Sequence, residues 1–188
     1  MSADVTELLA ASRDGDGQAT DRLLAAVYDE LRDIAAAYRA RHDVGDTLTA
    51  TSLVHECYLK LVDGERLPFD GRAHFFGAAA RAMRQVIVDA ARTRGREKRG
   101  GGVRPVRLDD APTLPGPDAG VGDDVIALDQ ALTELAEADP RAARVVECRY
   151  FAGLTVDETA AALGVSPMTV KRDWAAARAW LHRALAET

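Results

Sequence analysis

Between residues 99 and 124 the chain reads RGGGVRPVRLDDAPTLPGPDAGVGDD. Glycine and proline crowd together there, and no apolar period survives. Regular periodicity resumes on both sides. A chain of 188 residues written this way is expected to form two small bodies: one over 1–99, a flexible strap over 100–120, and a second body over 121–188. Both flanks carry helical spacing. In about 20–41, Leu23, Val27, Leu31, Ile34 and Tyr38 define one stripe, and shorter runs over about 4–12, 49–62 and 72–96 behave alike. Beyond the strap, helices are expected over about 124–137 and 141–151, the latter begun by the Asp139–Pro140 pair. Aromatic residues make up only 5% of the chain while alanine and leucine recur, which favours helix over sheet. The expected fold class is all-α.

The final stretch, LTVDETAAALGVSPMTVKRDWAAARAWLHRAL, is the most informative local text. Thr155 and Glu158 have capping-box spacing. Gly164 supplies the left-handed stop, and Ser166 followed by Pro167 starts a second helix. Val170, Trp174, Ala177 and Leu181 then fall on one face, and small Ala160 opposite Val170 lets two helices cross closely. This is the spacing of a helix-turn-helix. Ser166, Met168, Thr169, Lys171, Arg172 and, further along, Arg178 are expected on its outer side, where hydroxyls and cations suit phosphates and base edges.

Charge alternates along the chain. The formal total is −6, yet residues 71–107 hold ten Lys/Arg against two Asp/Glu, and residues 108–140 hold nine Asp/Glu and no Lys/Arg. The basic segment is the footprint of a polyanion partner. Arg81, Arg84 and Arg92 share a helix face within it and are candidates for backbone contact. Phe75 and Phe76 beside them can cover unstacked bases, or can simply belong to the core.

Taken together, these segments resemble the sigma-70 family of bacterial RNA polymerase initiation factors, in its extracytoplasmic-function (ECF) subgroup. The terminal stretch is similar to region four, which reads the minus-thirty-five element. DTLTATSLVHECYLKLV is similar to region 2.2, which docks on the β′ clamp of the polymerase. RAHFFGAAARAMRQVIVDAARTRGREKRGG is similar to regions 2.3 and 2.4, which open and read the minus-ten element. The resemblance implies core RNA polymerase, through its β′ clamp and β flap, and promoter DNA as partners. It also implies a cytoplasmic location and promoter melting without covalent chemistry. It assigns clamp docking to Thr49, Thr51, Ser52, Glu56 and Lys60, the minus-ten element to Phe75, Phe76, Arg81, Arg84 and Arg92, and the minus-thirty-five element to the outer side of the final helix.

One departure stands out. Typical members open region 2.2 with carboxylates, whereas Thr49, Thr51 and Ser52 stand there in this chain and only Glu56 keeps its charge. Each lost charge-assisted contact weakens docking by about 1–3 kcal/mol. Phosphorylation, first at Thr51, would restore negative charge near a helix N-terminus, with a Ser/Thr kinase in the role usually held by an anti-sigma factor. The loop over 63–71 is expected to hold one flipped base of the minus-ten element. No cofactor, metal site, membrane span or enzymatic constellation is expected: His55 begins an HExxH-like pattern, but Leu59 stands where the second histidine belongs. Cys57 and Cys148 read as buried, reduced thiols. The alternative function is an ordinary helix-turn-helix regulator that binds duplex DNA without polymerase.

Overall fold

The computed structural model describes residues 7–8, 11, 17–42, 49–61, 71–97 and 123–186, and all regular structure among them is helical. Most of the expected helix over 4–12, the loop over 63–71 except Gly71, and the strap over 100–120 lie outside the described residues. Helix α1 spans Gly17–Arg41, α2 Ala50–Leu61, α3 Arg72–Glu97 and α4 Asp123–Ala138. Helix α5, Pro140–Val146, runs into a π-helical turn, Glu147–Phe151; α6, Val156–Leu163, and α7, Pro167–Ala186, follow. The boundaries lie within a few residues of those the periodicity predicts.

Local chemistry explains the starts and stops. Thr49 opens α2: its Oγ1 accepts the Ser52 backbone N–H at 3.1 Å. Asp139 caps α5 by accepting the N–H groups of Arg141 and Ala142 at 3.2 and 3.0 Å, with Pro140 at the first helical position. Thr155 and Glu158 form the reciprocal capping box of α6. Gly164 ends α6 at φ 65°.

The α1 stripe of Leu23, Val27, Leu31, Ile34 and Tyr38 is buried and packs on α2, which packs in turn on α3. The other side of α3 meets α4, the π turn and α6. The described residues thus share one continuous apolar core, with Phe75, Met83 and Ile87 of α3 between Leu53 on one side and Leu128, Leu132 and Phe151 on the other. The Tyr38 ring stacks on Phe151 at 6.5 Å, and His42 lies 4.9 Å from the Tyr150 ring. At Gly77 α3 faces α6: a Cβ there would stand 4.0 Å from the Ala162 carbonyl oxygen, an ordinary contact distance. The set of helices after the strap is therefore seated directly on the basic helix.

The π turn is the one element that the periodicity does not predict. The Ala152 N–H reaches the Glu147 carbonyl at 3.3 Å. Its wider pitch buries Glu147, Cys148, Arg149 and Phe151 together, which no single α-helical stripe could do. Glu147 is turned towards α3, while the Arg149 guanidinium lies 5.3 Å from the Trp174 ring.

Candidate nucleic-acid interface

Three surfaces carry the residues singled out in the sequence. The first is the helix-turn-helix of α6 and α7. Val170, Trp174, Ala177 and Leu181 are buried, Ala160 is buried on α6, and the two helices pack together. Met168, 72% exposed, and the exposed Lys171 and Arg172 form an outward edge on the first turns of α7. Ser166 and Thr169 contribute differently. Ser166 Oγ accepts the Thr169 N–H at 3.1 Å, and the two hydroxyls lie 2.8 Å apart, so both are engaged in capping α7. Arg178, about two turns beyond Lys171 on α7, is half-buried.

Asp173 fixes the orientation of that edge, and the sequence gives it no prominence. It is 4% exposed. Its carboxylate accepts from Arg141 Nε at 2.5 Å and from Arg172 Nε at 3.3 Å. These bonds, above all the one from Arg141, hold its carboxyl below the usual carboxylate range. One buried acid thus ties α7 to the start of α5.

The second surface belongs to α3. Arg81, Arg84 and Arg92 line one side of a cleft of about 420 Å³, together with Lys60 of α2. The shared face expected from spacing is therefore present, but its three arginines differ. Arg81 is exposed. Arg92 is half-exposed and donates from Nη2 to Asp129 Oδ2 at 2.9 Å. Arg84 is 13% exposed and makes four side-chain hydrogen bonds. It donates from Nε to Asp129 Oδ1 at 2.8 Å, from Nη1 to Glu147 Oε1 at 2.8 Å, and from Nη2 to the Asp129 carbonyl at 2.9 Å and Thr133 Oγ1 at 3.0 Å.

Arg84, a candidate for backbone contact, is thus covered here by acids 45 and 63 residues further along the chain. Phe75 and Phe76, which the sequence leaves open as base-covering rings or as core, lie in the core. They are 0% and 9% exposed, with ring centroids 5.5 Å apart, because that side of α3 is shared between two helical layers. In this arrangement neither ring can meet a base.

The third surface is the outward side of α2. Thr49 and Ser52 are occupied with one another, Ser52 Oγ donating to the Thr49 carbonyl at 2.9 Å and Thr49 Oγ1 donating to Ser52 Oγ at 3.1 Å. Thr51 takes no part in that cap and is exposed, as is Glu56. Lys60 is turned to the cleft and lies 3.6 Å from Asp89. His55 and Leu59, considered in the sequence only as a failed metal pattern, fall in line with Thr51 at four-residue steps. Leu59 is 52% exposed, a large apolar side chain in the middle of a polar face. The four-residue repeat was the signal that could have found it.

The family model described as "ECF sigma factor" matches residues 2–187, and the chain belongs to that family. Its role is accordingly that of a sigma factor in transcription initiation, which binds DNA and RNA polymerase. No curated protein and no solved structure matches the chain. Among the described residues, no helix is long and apolar enough to cross a membrane.

Proposed function

We propose that this sigma factor docks on the polymerase clamp through the outward side of α2, reads a minus-thirty-five element with the first turns of α7, and follows the opened minus-ten strand with α3. Thr51, His55, Glu56 and Leu59 form the docking face, with Ser52 and Thr49 shaping its first turn. Met168, Lys171 and Arg172 make the duplex contacts. Ser166 and Thr169 hold the helix end that aims them, and Arg178 adds a later backbone contact. Arg81, Arg84 and Arg92 bind strand phosphates, with Lys60 beside them. The observation that carries the reading is the outward Met168–Lys171–Arg172 edge on a capped helix, in a chain whose basic segment places three arginines on one cleft.

Control by phosphorylation is part of the proposal. Thr51 is an exposed hydroxyl in the first turn of α2, so a phosphate there meets the positive end of the helix dipole and adds the charge that the docking face lacks. A Ser/Thr kinase would then set polymerase affinity. Reconstituted transcription with core polymerase and mapped start sites tests the whole. Lys171→Ala/Arg172→Ala should abolish start-site selection while core binding persists. Leu59→Asp should weaken core binding, and Thr51→Glu should strengthen it relative to Thr51→Ala. Equal core affinity of the two Thr51 variants removes the kinase. Regulation by duplex binding alone, without any demand for core enzyme, removes the sigma mechanism.

A further inference from the structure

We propose that the chain inhibits itself: Asp129 and Glu147 stand in for DNA phosphates on Arg84 and Arg92, and hold the helices after the strap against the minus-ten surface until a polyanion displaces them. The proposal rests on the reading that α3 contacts DNA. Four observations lead to it.

The first is saturation. Arg84 spends four of its five N–H groups on Asp129, Glu147 and Thr133, so little of its guanidinium is left for a phosphate while the contact stands. The second is economy of charge. The single Asp129 carboxylate binds Arg84 through Oδ1 and Arg92 through Oδ2, two arginines eight residues apart on one helix. Carboxylate and phosphate present the same kind of anionic oxygen to a guanidinium fork, so one can replace the other.

The third observation is the chain's own charge pattern. The segment with ten cations is followed at once by one with nine acids and no cation, and Asp129 belongs to the second. The fourth is access. The cleft, where Lys60, Arg81, Arg84 and Arg92 meet Asp89, Asp129 and Glu147, opens to solvent, and Arg81 makes no ion pair with a described residue. A phosphate can land on Arg81, exchange next onto half-exposed Arg92, and reach Arg84 last. Closure does not depend on charge alone, since Phe151 stacks on Tyr38 and α6 rides on Gly77 across the same seam. The ion pairs decide where the seam locks, and they are the part that DNA can compete for.

Energy transfer across the seam tests this in the full chain. Dyes go on Ala36→Cys in α1 and Ala175→Cys in α7, both exposed positions. Native Cys57 and Cys148 are buried, and burial pushes their thiols up to about 12, so labelling spares them. Asp129→Asn/Glu147→Gln should lower transfer. It should also tighten binding of a mixed-sequence single-stranded oligonucleotide by about tenfold, as expected if roughly one molecule in ten is open beforehand. Glu134→Gln/Glu137→Gln makes the same charge change at exposed positions of α4 and should alter neither readout.

Unchanged transfer in the first variant overturns the latch. Lower transfer with unchanged binding overturns the DNA role of α3, and the inhibition with it, while leaving the closed contact real. Equal tightening in the control assigns the effect to net charge and overturns the proposal. If the first variant loses helicity, Gly77→Leu decides instead: it wedges α6 away without touching a charge, and it should lower transfer and tighten binding together.

Discussion

Asp173 lies one position beyond the exposed Lys171–Arg172 pair and points the opposite way. Its neighbours Lys171 and Arg172 are exposed, while its buried carboxylate accepts from Arg141 on α5 and from Arg172. The acid is nearly inaccessible and its charge is matched locally, so its ionisation is tied to the folded state. The sign follows from the depressed carboxyl. The unfolded chain takes up a proton near pH 3.9 and the folded chain only below that, so the pair contributes its full stability above about pH 4 and loses it as the pH falls further. Asp173→Asn should lower the melting temperature at pH 7 and shrink the difference from the parent chain as the pH is brought towards 3. A constant difference across that range would mean that the residue acts through packing alone. Thr51 is the opposite kind of residue, since removing its exposed hydroxyl should leave stability where it is.

At the scale of elements, the turn between α6 and α7 sets the angle at which the Met168–Lys171–Arg172 edge, the proposed duplex contact, is presented. Gly164 adopts φ 65°, and a Cβ built on it meets nothing within 4 Å. Any penalty for Gly164→Ala is therefore conformational and not steric, about 1–2 kcal/mol for placing a Cβ in the left-handed region. Urea unfolding should show that loss with an unchanged slope, and Gly164→Asn should lose less. A neutral alanine would mean that the turn can relax to negative φ. The elements were readable in the sequence for the reason that makes this prediction simple: caps, stops and stripes are local. Thr155 finds Glu158 three residues away, and Ser166 finds Thr169 at the same distance. The π turn was not readable, because it arises from the need to bury both Glu147 and Phe151, which face different helices.

At the scale of the molecule the sequence was read less completely. The same text that marks Arg84 as a phosphate contact also suits an arginine buried under distant acids, and local spacing cannot separate the two. Phe75 and Phe76 are ambiguous in the same way, since an aromatic pair beside a basic stripe suits a core as well as a stacking platform. The missing clue was present as a complement: the acid-only segment that follows the basic one supplies the counter-surface. That exchange has a thermodynamic signature. An arginine that passes from solvent to a phosphate lets the nucleic acid release counterions, about 0.7 per neutralised phosphate on a single strand. In the closed chain, Arg84 and Arg92 are already paired, and freeing Asp129 and Glu147 exposes carboxylates that gather cations of their own. Salt also loosens the half-exposed Arg92–Asp129 pair, which partly offsets what it takes from the DNA contact. The log–log dependence of single-strand affinity on salt should therefore be shallower for the parent chain than for Asp129→Asn/Glu147→Gln. The difference should be about one unit of slope, and the two affinities should converge as salt rises. Parallel lines from fluorescence anisotropy between about 0.05 and 0.3 M salt would mean that strand binding leaves the carboxylates in place, and that the arginines meeting DNA are others than Arg84 and Arg92.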